Sequence, residues 1–472
     1  MPRLRLILAC LLVLAAAIPA AAVAAQRMPV GFQDDPSFRW RDDRAQNLTT
    51  ASTTGASIVR TTVYWSRAAQ TKPADPTDSF DPAYRLEDID ELVRNAAYRG
   101  MTVLLSIWGT PGWANDDQGE NHAPTSMSDL RDFAQALASR YSGRNPGFPF
   151  VGYFSVWNEP NLSQFLAPTF RNGKPASPAI YAQIARAAYA GIKVGNPLAK
   201  VAIGETSPRG RDKPTPAPGK VQDTLSPGTF ARLVAAAPGP KVRFDAWAHH
   251  PYSELGLGPR QRMRFPNVAL TQLPQFEKGL DTWFKRKNIP IWITEYGFET
   301  RPAEPKGVTL AQQAAYAKQA LTYARDDPHV QMFIWFIFRD DPTSTWQSGL
   351  LNESGIKRPS FATFKSVAPQ VDIRSPIVVI KAKKSNPVIR VPVWDLLVRD
   401  GVGAPLGATV KTYYNRKNLA VGQPTSTIAL DGYASFVVKL NKPPKNTVYT
   451  VSLNINDRNG NRIFRSATLI SR

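Results

Sequence analysis

The sequence predicts an α/β protein: a (β/α)8 TIM barrel followed by a small C-terminal all-β sandwich. Three observations lead to this fold class. From residue 29 to about residue 370, short apolar segments alternate with amphipathic segments of helical length. Eight of the apolar segments have the length of strands, and their apolar character on both faces fits parallel strands covered on both sides. Beyond residue 371 the pattern changes to short alternating runs, which are typical of antiparallel strands.

The eight barrel strands are predicted in chain order along the first part of the sequence. They are Val30–Phe32, Ile58–Val63, Thr102–Ile107, Phe150–Trp157, Lys200–Gly204, Phe244–His250, Ile291–Glu295 and Met332–Phe338. Between them, segments such as LEDIDELVRNAAYRG have apolar residues three and four positions apart, which predicts helices. Gly100 and Gly195 are candidate C-terminal caps. An open doubly wound sheet is the alternative, but no GxGxxG motif follows the first strand, so dinucleotide binding has no support.

The N-terminal segment has the features of an export signal. A short basic start is followed by a long apolar run that ends in small residues near Ala24 and Ala25, which predicts a signal peptide over residues 1–25. An uncleaved membrane anchor is the alternative. Cys10, the only cysteine, lies within this segment and comes too early for a lipid-modified cysteine. We therefore expect a secreted or extracytoplasmic protein without disulfides and with no stable membrane span after cleavage.

The positive charge is unevenly distributed along the chain. The net charge is +21, and from residue 371 onward 16 Lys and Arg stand against 5 Asp and Glu. The sequence thus divides into a barrel over 26–370 and a basic β-sandwich over 371–472, with Asp-Gly and Asn-Gly pairs as turn signals. A basic surface attracts anionic partners, so binding to an anionic cell-envelope polymer and a merely solubilising bias are both open. Nucleic acid is not an expected partner of an exported chain.

Two glutamates end predicted barrel strands. Glu159 follows strand 4 in VWNEPN, and Glu295 ends strand 7 in WITEYGF. The reactive residues of a (β/α)8 barrel lie at the C-terminal ends of its strands, so closure brings both carboxylates to one rim. Two facing carboxyl groups are what glycosidic bond cleavage requires. A separation of roughly 5–5.5 Å allows direct attack, and roughly 6.5–9.5 Å leaves room for a water molecule.

The two motifs together resemble the retaining glycoside hydrolases of clan A, the cellulase-like (β/α)8 group that includes families 5 and 39. The likeness covers Pro29 to about Ala368. The resemblance implies that Glu159 is the acid/base and Glu295 the nucleophile. It also implies that Glu295 stays charged, whereas the pKa of Glu159 is raised, mostly by the nearby negative charge.

Further positions match the pattern of the clan and imply substrate-binding or supporting roles. Arg60 matches the arginine that steadies the nucleophile, and Asn158 matches the amide that holds the sugar 2-hydroxyl. His250 and Tyr252 match a His-x-Tyr motif whose tyrosine hydroxyl contacts the nucleophile. Trp335 matches the strand-8 tryptophan that forms the floor of the sugar site.

Other residues on the predicted catalytic side remain open. Loops after strands 3 and 8 carry Trp108, Trp113 and Trp346, which either stack on sugars or pack the loops. Glu205 ends strand 5 and is expected to contact substrate or support the structure, and His249 is expected to be structural. We expect no cofactor and no metal, since the chain has four His, no HExxH and no cysteine outside the signal. GxSxG and P-loop motifs are also absent.

These observations predict a secreted retaining glycoside hydrolase with a carbohydrate substrate. It would cleave O-glycosidic bonds in a poly- or oligosaccharide by double displacement. Its expected role is in polysaccharide catabolism. The alternative is an inactive carbohydrate-binding or cell-envelope structural protein on the same scaffold. The sequence does not reveal the sugar, the linkage, or endo against exo action, because long loops decide these properties.

Overall fold

A computed structural model of the chain describes residues 28–216, 221–344 and 346–371, together with the backbone of strands between residues 377 and 471. Within this part, eight parallel strands form a closed barrel. They are β1 Val30–Gln33, β2 Ile58–Tyr64, β3 Thr102–Trp108, β4 Tyr153–Val156, β5 Lys200–Thr206, β6 Ala246–His249, β7 Ile291–Tyr296 and β8 Val330–Phe336. The barrel closes where β1 pairs with β8, with Val30 opposite Phe333. The predicted barrel is confirmed.

One main helix follows each strand, as the alternation of the sequence predicts. These helices are α1 Arg44–Ser52, α2 Glu87–Tyr98, α3 Met127–Arg140, α4 Ser177–Gly195, α5 Pro227–Ala235, α6 Leu273–Phe284, α7 Leu310–Asp326 and α8 Pro359–Val371. Short helical turns occur at Pro36–Trp40, Trp65–Ala68, Gly112–Asn115 and Leu270–Gln272, and a small hairpin joins Phe170–Arg171 to Lys174–Pro175.

The two glycines expected to end helices have different roles. Gly100 lies two residues after the end of α2 with φ +74°, the left-handed conformation that glycine adopts at helix ends. Gly195 is instead the last residue of α4, which packs on α3. A Cβ at Gly195 would lie 2.3 Å from the carbonyl oxygen of Gln135, so the glycine allows the two helices to approach closely. The predicted cap at Gly195 is therefore wrong.

The barrel interior is packed below the rim that the C-terminal ends of the strands form. Ile58, Leu104, Trp292 and Met332 are buried there, whereas the alternate residues of the strands face the helices. The interior therefore leaves no pore, and the reactive sites of such barrels lie at the C-terminal ends of the strands.

The C-terminal segment forms β-strands, as the alternating pattern predicts. They are Ile377–Ile380, Val388–Val393, Thr409–Tyr414, Lys417–Asn418, Thr425–Ile428, Ala434–Lys439, Thr447–Asn456 and Arg462–Ser471. They pair in one five-stranded and one three-stranded sheet, and all but one of the pairings are antiparallel. The packing of these sheets into a sandwich stays a prediction, and the predicted signal peptide lies outside the described residues. No helix within the described residues is long and apolar enough to cross a membrane.

Candidate active site

Glu159 and Glu295 meet at the C-terminal rim of the barrel. One carboxylate oxygen of each lies within 4.8 Å of the other and of a ring nitrogen of His250. Glu295 belongs to β7, and Glu159 lies three residues beyond β4. The chain turns sharply there, with positive φ values at Trp157 and Glu159, and the Glu159 N–H donates to the Glu205 carbonyl at 2.8 Å.

Glu295 is held by a cation and a hydroxyl group. Nη1 of Arg60 donates to its Oε1 at 2.6 Å, and the Tyr252 hydroxyl donates to its Oε2 at 3.1 Å. Both contacts place a hydrogen-bond donor on a carboxylate oxygen and fix the orientation of the Glu295 side chain. The geometry thus brings together the groups that the resemblance assigns to this position.

Arg60 is a buried hub below the rim, with 1% of its surface exposed. Its guanidinium also donates to Ser106 Oγ at 2.9 Å, to Asn158 Oδ1 at 3.3 Å, and to the side chain of Gln33. A side chain this buried does not reach a sugar in the cleft. Arg60 is therefore a positioning residue, rather than the direct substrate contact that the sequence left open.

Glu205 is wholly buried beneath the two rim glutamates. Its Oε2 lies 3.3 Å from Nη2 of Arg60 and 2.8 Å from Nε2 of His250, and it accepts from Thr294 Oγ1 at 2.6 Å. Burial alone would raise the pKa of Glu205, but Arg60 and His250 outweigh it and lower the pKa to about 2. Of the two roles left open, the structural one fits: Glu205 is a fixed anion that compensates the buried cations.

His250 is a buried cation between carboxylates. Its Nδ1 donates to Glu159 Oε1 at 3.0 Å and its Nε2 donates to Glu205. Burial opposes its charge, but Glu295 and the two bonded carboxylates raise the pKa of His250 to about 10. Like Arg60, it supports the site from below. When Glu159 is protonated, Arg60 and His250 balance the charges of Glu205 and Glu295, which disfavours a metal ion at this position.

His249 is buried like His250, but its hydrogen-bond partners and its charge are different. It is buried, its Nδ1 accepts from the Thr206 hydroxyl, and its Nε2 donates to the Val268 carbonyl. Burial lowers the pKa of His249 to about 3, so the ring is neutral. It ties β6 to a neighbouring strand and a loop, as expected of a structural residue.

The pKa of Glu159 is raised, but the main cause differs from the expected one. Burial is the largest contribution, and the negative charge of Glu295 adds a smaller one. The bond from His250 and the charge of Arg60 oppose the rise. A carboxyl group with a raised pKa is suited to hold a proton for donation.

The rim opens into a cleft of about 750 Å³ that is rich in aromatic side chains. The aromatic lining residues include Trp40, Tyr64, Trp108, Phe165, Phe336 and Trp346. Trp346 packs against Tyr252, with ring centroids 5.1 Å apart, and its Nε1 donates to Ser348 Oγ at 2.8 Å. Trp108 and Trp346 thus lie in the cleft, together with Asn158 and Tyr252.

Two of the predicted sugar-binding tryptophans do not line this cleft. Trp335 is 0% exposed, packs with Phe364 in the layer under the helices, and bonds the Ser348 carbonyl. Phe336, the next residue, lines the cleft instead. Trp113 packs edge-on against Trp65 and donates to the Ala69 carbonyl at 2.8 Å. Trp335 therefore lies in the core rather than at the expected sugar site, and of the two roles left open for Trp113, loop packing fits.

The cleft also contains polar residues that sequence reasoning missed. They are Asp34, Asp35, Arg209, Glu254, Glu299 and Asp341. Burial raises the pKa of Glu299 to about 7. Asp34 follows β1 directly and Tyr64 ends β2, so the rule that selected Glu159 and Glu295 could also have found them. Glu254 and Arg209 lie on loops without a comparable sequence signal.

A (β/α)8 barrel whose rim carries two facing carboxyl groups in a cleft lined by aromatic side chains is typical of a clan A glycoside hydrolase. Comparison with family models agrees with this class. The model of the cellulase family, glycosyl hydrolase family 5, matches residues 23–340. The chain belongs to glycosyl hydrolase family 5.

Solved structures from families 5 and 39 have the same fold. A family 39 glycoside hydrolase from Bacteroides cellulosilyticus WH2 is 16% identical, with TM-score 0.53, over 94% of this chain and 81% of that one. GH5_18 from Streptomyces cattleya, in complex with GlcNAc, is also 16% identical, with TM-score 0.53, over 76% and 85%. An exo-β-1,4-mannosidase from Opitutaceae bacterium strain TAV5 is 14% identical, with TM-score 0.51, over 95% and 92%. No curated protein sequence is significantly similar to the chain.

Proposed function

We propose that the protein is a secreted retaining glycoside hydrolase that cleaves O-glycosidic bonds in a poly- or oligosaccharide by double displacement. The observation that carries this proposal is the approach of Glu159 and Glu295, whose nearest described carboxylate oxygens lie within 4.8 Å. A separation within this limit fits direct attack, for which the carboxyl groups lie roughly 5–5.5 Å apart. It is shorter than the roughly 6.5–9.5 Å that a water-mediated, inverting reaction requires.

In the first step, Glu295 attacks the anomeric carbon and Glu159 gives its proton to the leaving oxygen. The bond from the anomeric carbon to the leaving oxygen breaks as the ester to Glu295 forms. Arg60 and Tyr252 hold the attacking carboxylate in a fixed orientation. The buried setting of Glu159 supplies the raised pKa that a general acid requires.

In the second step, Glu159 acts as a base. Esterification removes the negative charge of Glu295, which is one of the causes of the raised pKa of Glu159. The pKa of Glu159 then falls, and its carboxylate accepts a proton from water as the water oxygen attacks the anomeric carbon. The ester breaks, Glu295 returns as a carboxylate, and the sugar keeps its original anomeric configuration.

Asn158 is proposed to orient the sugar through its amide nitrogen. Its Oδ1 accepts from Nη2 of Arg60, so the amide group is fixed with its NH2 group free to donate to a sugar hydroxyl. The rings of Trp108, Phe336 and Trp346 offer flat apolar surfaces to the apolar face of a pyranose.

The experiment that tests this proposal measures both activity and stereochemistry. The wild-type chain and Glu295→Gln are assayed on aryl β-glucosides, β-mannosides and β-xylosides, and the first-formed anomer is identified by proton NMR. The mannosides belong in the panel because one neighbour of similar fold is an exo-β-1,4-mannosidase. We expect the β-anomer from the wild type and no measurable turnover by Glu295→Gln.

The matched control is Glu353→Gln, the same change at an exposed glutamate outside the cleft, which should retain full activity. First formation of the inverted anomer would contradict double displacement. Equal turnover by Glu295→Gln and the wild type would favour the inactive carbohydrate-binding alternative.

We further propose that residues 1–25 are a cleaved signal peptide and that the basic segment 371–472 is a β-sandwich. Its charge, 16 Lys and Arg against 5 Asp and Glu, supports binding to an anionic cell-envelope polymer. Retention of the full-length protein on cell-wall material should then fall as salt rises. Retention that does not change with salt would contradict this role.

A further inference from the structure

Glu277, Asp327 and His329 form a second cluster of ligand-type side chains at the opposite end of the barrel. Glu277 lies on α6, whereas Asp327 and His329 lie in the loop between α7 and β8. One ligand atom from each lies within 4.8 Å of the other two. The loop precedes β8, so the cluster belongs to the N-terminal face of the barrel, away from the catalytic rim. It therefore plays no part in the proposed sugar chemistry.

We propose that these three side chains form a structural binding site for a divalent transition-metal cation of the Zn²⁺ type. His329 Nδ1 lies 3.1 Å from Glu277 Oε2 and 3.6 Å from Asp327 Oδ1. Ligand atoms at roughly 2.0–2.1 Å from a tetrahedral zinc ion are separated by roughly 3.3–3.4 Å. These two separations lie on either side of this value, and the third pair of ligand atoms lies within 4.8 Å, so side-chain adjustment would complete the geometry, with water as the fourth ligand.

The second observation is an unpartnered buried oxygen. Glu277 is only 4% exposed, and no hydrogen-bond donor reaches its Oε1. A buried carboxylate oxygen without a donor carries a large desolvation cost, which a bound cation would remove.

The surroundings are accessible and mostly acidic. The cluster lines a surface cavity of about 690 Å³, so a hydrated ion can enter. Asp281 and Asp326 line the same cavity, against one cation, Lys278. An imidazole nitrogen with two carboxylates suits Zn²⁺ and its neighbours in the transition series, whereas Ca²⁺ takes oxygen ligands only.

A cation at this position would link α6 to the loop that leads into β8. It would therefore stabilise the folded state, because the three ligands come together only in that state. The metal thus acts on the thermal stability of the barrel rather than on catalysis.

The experiment titrates the EDTA-treated full-length protein with Zn²⁺ by isothermal calorimetry and records Tm with and without the metal. Asp327→Asn and His329→Gln are compared with Asp42→Asn, the same chemical change at an exposed aspartate outside this cavity. The wild type and Asp42→Asn should bind one Zn²⁺ at this site, with a rise in Tm. Asp327→Asn and His329→Gln should lose that binding event and that rise.

Binding at the catalytic rim is separated by repeating the titration with Glu159→Gln, which leaves the second cluster intact. The proposal is overturned if the wild type binds no Zn²⁺. It is also overturned if Asp327→Asn and His329→Gln keep the stoichiometry and Tm rise of the wild type. Thermal unfolding of each variant in EDTA shows that it is folded before metal is added.

Discussion

Nδ1 of His250 lies 3.0 Å from Oε1 of Glu159, so the proposed proton donor of the reaction itself accepts a hydrogen bond from a buried imidazolium. The bond opposes the effect of burial on Glu159 and limits the rise in its pKa. His250 is held in place by Glu205 at its other nitrogen. His250 and Glu205 thus influence the pKa of the acid/base from below the cleft.

Replacing His250 by Gln should change the pH profile of the enzyme. The substitution removes a charge and a donor that lower the pKa of Glu159, so this pKa rises further. Because the acid must be protonated, the alkaline limb of kcat/KM should move to higher pH. The profile is measured on an aryl glycoside, with His122→Gln, a half-buried histidine outside the cleft lining, as the control. An alkaline limb that stays in place or moves to lower pH would refute this role.

Replacing Glu159 by Gln should have an effect that depends on the leaving group. For an alkyl or sugar leaving group, loss of the general acid should lower kcat/KM by roughly 10²–10⁴-fold. A dinitrophenyl glycoside has a leaving group that needs no proton, and its kcat/KM should stay near the wild-type value. Steady-state kinetics on both substrates test this pattern. An equal loss on the two substrates would show that Glu159 is not the acid.

Replacing Glu205 by Gln should destabilise the barrel. The change leaves Arg60 and His250 buried with less compensating charge, and removal of one member of such a group costs about 3–5 kcal/mol in the free energy of unfolding at neutral pH. Urea denaturation measures this difference, with the exposed Glu353→Gln as the control.

The stability difference between Glu205→Gln and the wild type should shrink in acid. The pKa of Glu205 is lowered from 4.5 to about 2 in the folded state, so its contribution is complete above pH 4.5 and is lost as the pH falls toward 2. Denaturation curves at pH 7 and pH 3 should therefore show a smaller difference at pH 3. A difference that is constant or larger in acid would contradict the assigned charge.

The two tryptophans near the end of β8 should respond differently to substitution by alanine. Trp346 lines the cleft, so its loss should lower kcat/KM by about tenfold with little change in Tm. Trp335 is buried in the core, so its loss should cost about 3–5 kcal/mol of stability. Kinetics and denaturation of both variants test this contrast. A stable Trp335→Ala protein with a raised KM would restore the predicted sugar contact.

The barrel could be predicted because each of its buried strands forms a short apolar run in the sequence. The same signal explains why strand ends were less certain. Phe150 and Val151 are buried and apolar but precede β4, which begins at Tyr153, because apolar character reports burial rather than strand pairing. The two glutamates stood out because ionisable groups at the ends of buried strands are costly and therefore conspicuous.

The error at Trp335 has a specific physical reason. Met332 and Ile334 face the barrel interior, whereas Phe333 and Trp335 face the helices. Both faces of β8 are apolar, so no polar residue marks which face a given ring occupies, and a shift of one position exchanges the two.

Glu205 and His250 were placed at the site, but their roles could not be derived from the sequence, because these roles depend on partners from distant strands.

The backbone N–H of Met28 donates to the carbonyl oxygen of Val371 at 2.8 Å, so the chain enters and leaves the barrel at neighbouring points. Both points lie on the face where the strands begin, opposite the mouth of the cleft. An anchor attached to the chain before residue 28 or after residue 371 would therefore hold the enzyme from this rear face. An enzyme anchored in this way would keep its cleft facing away from the anchor and open to substrate from the surroundings.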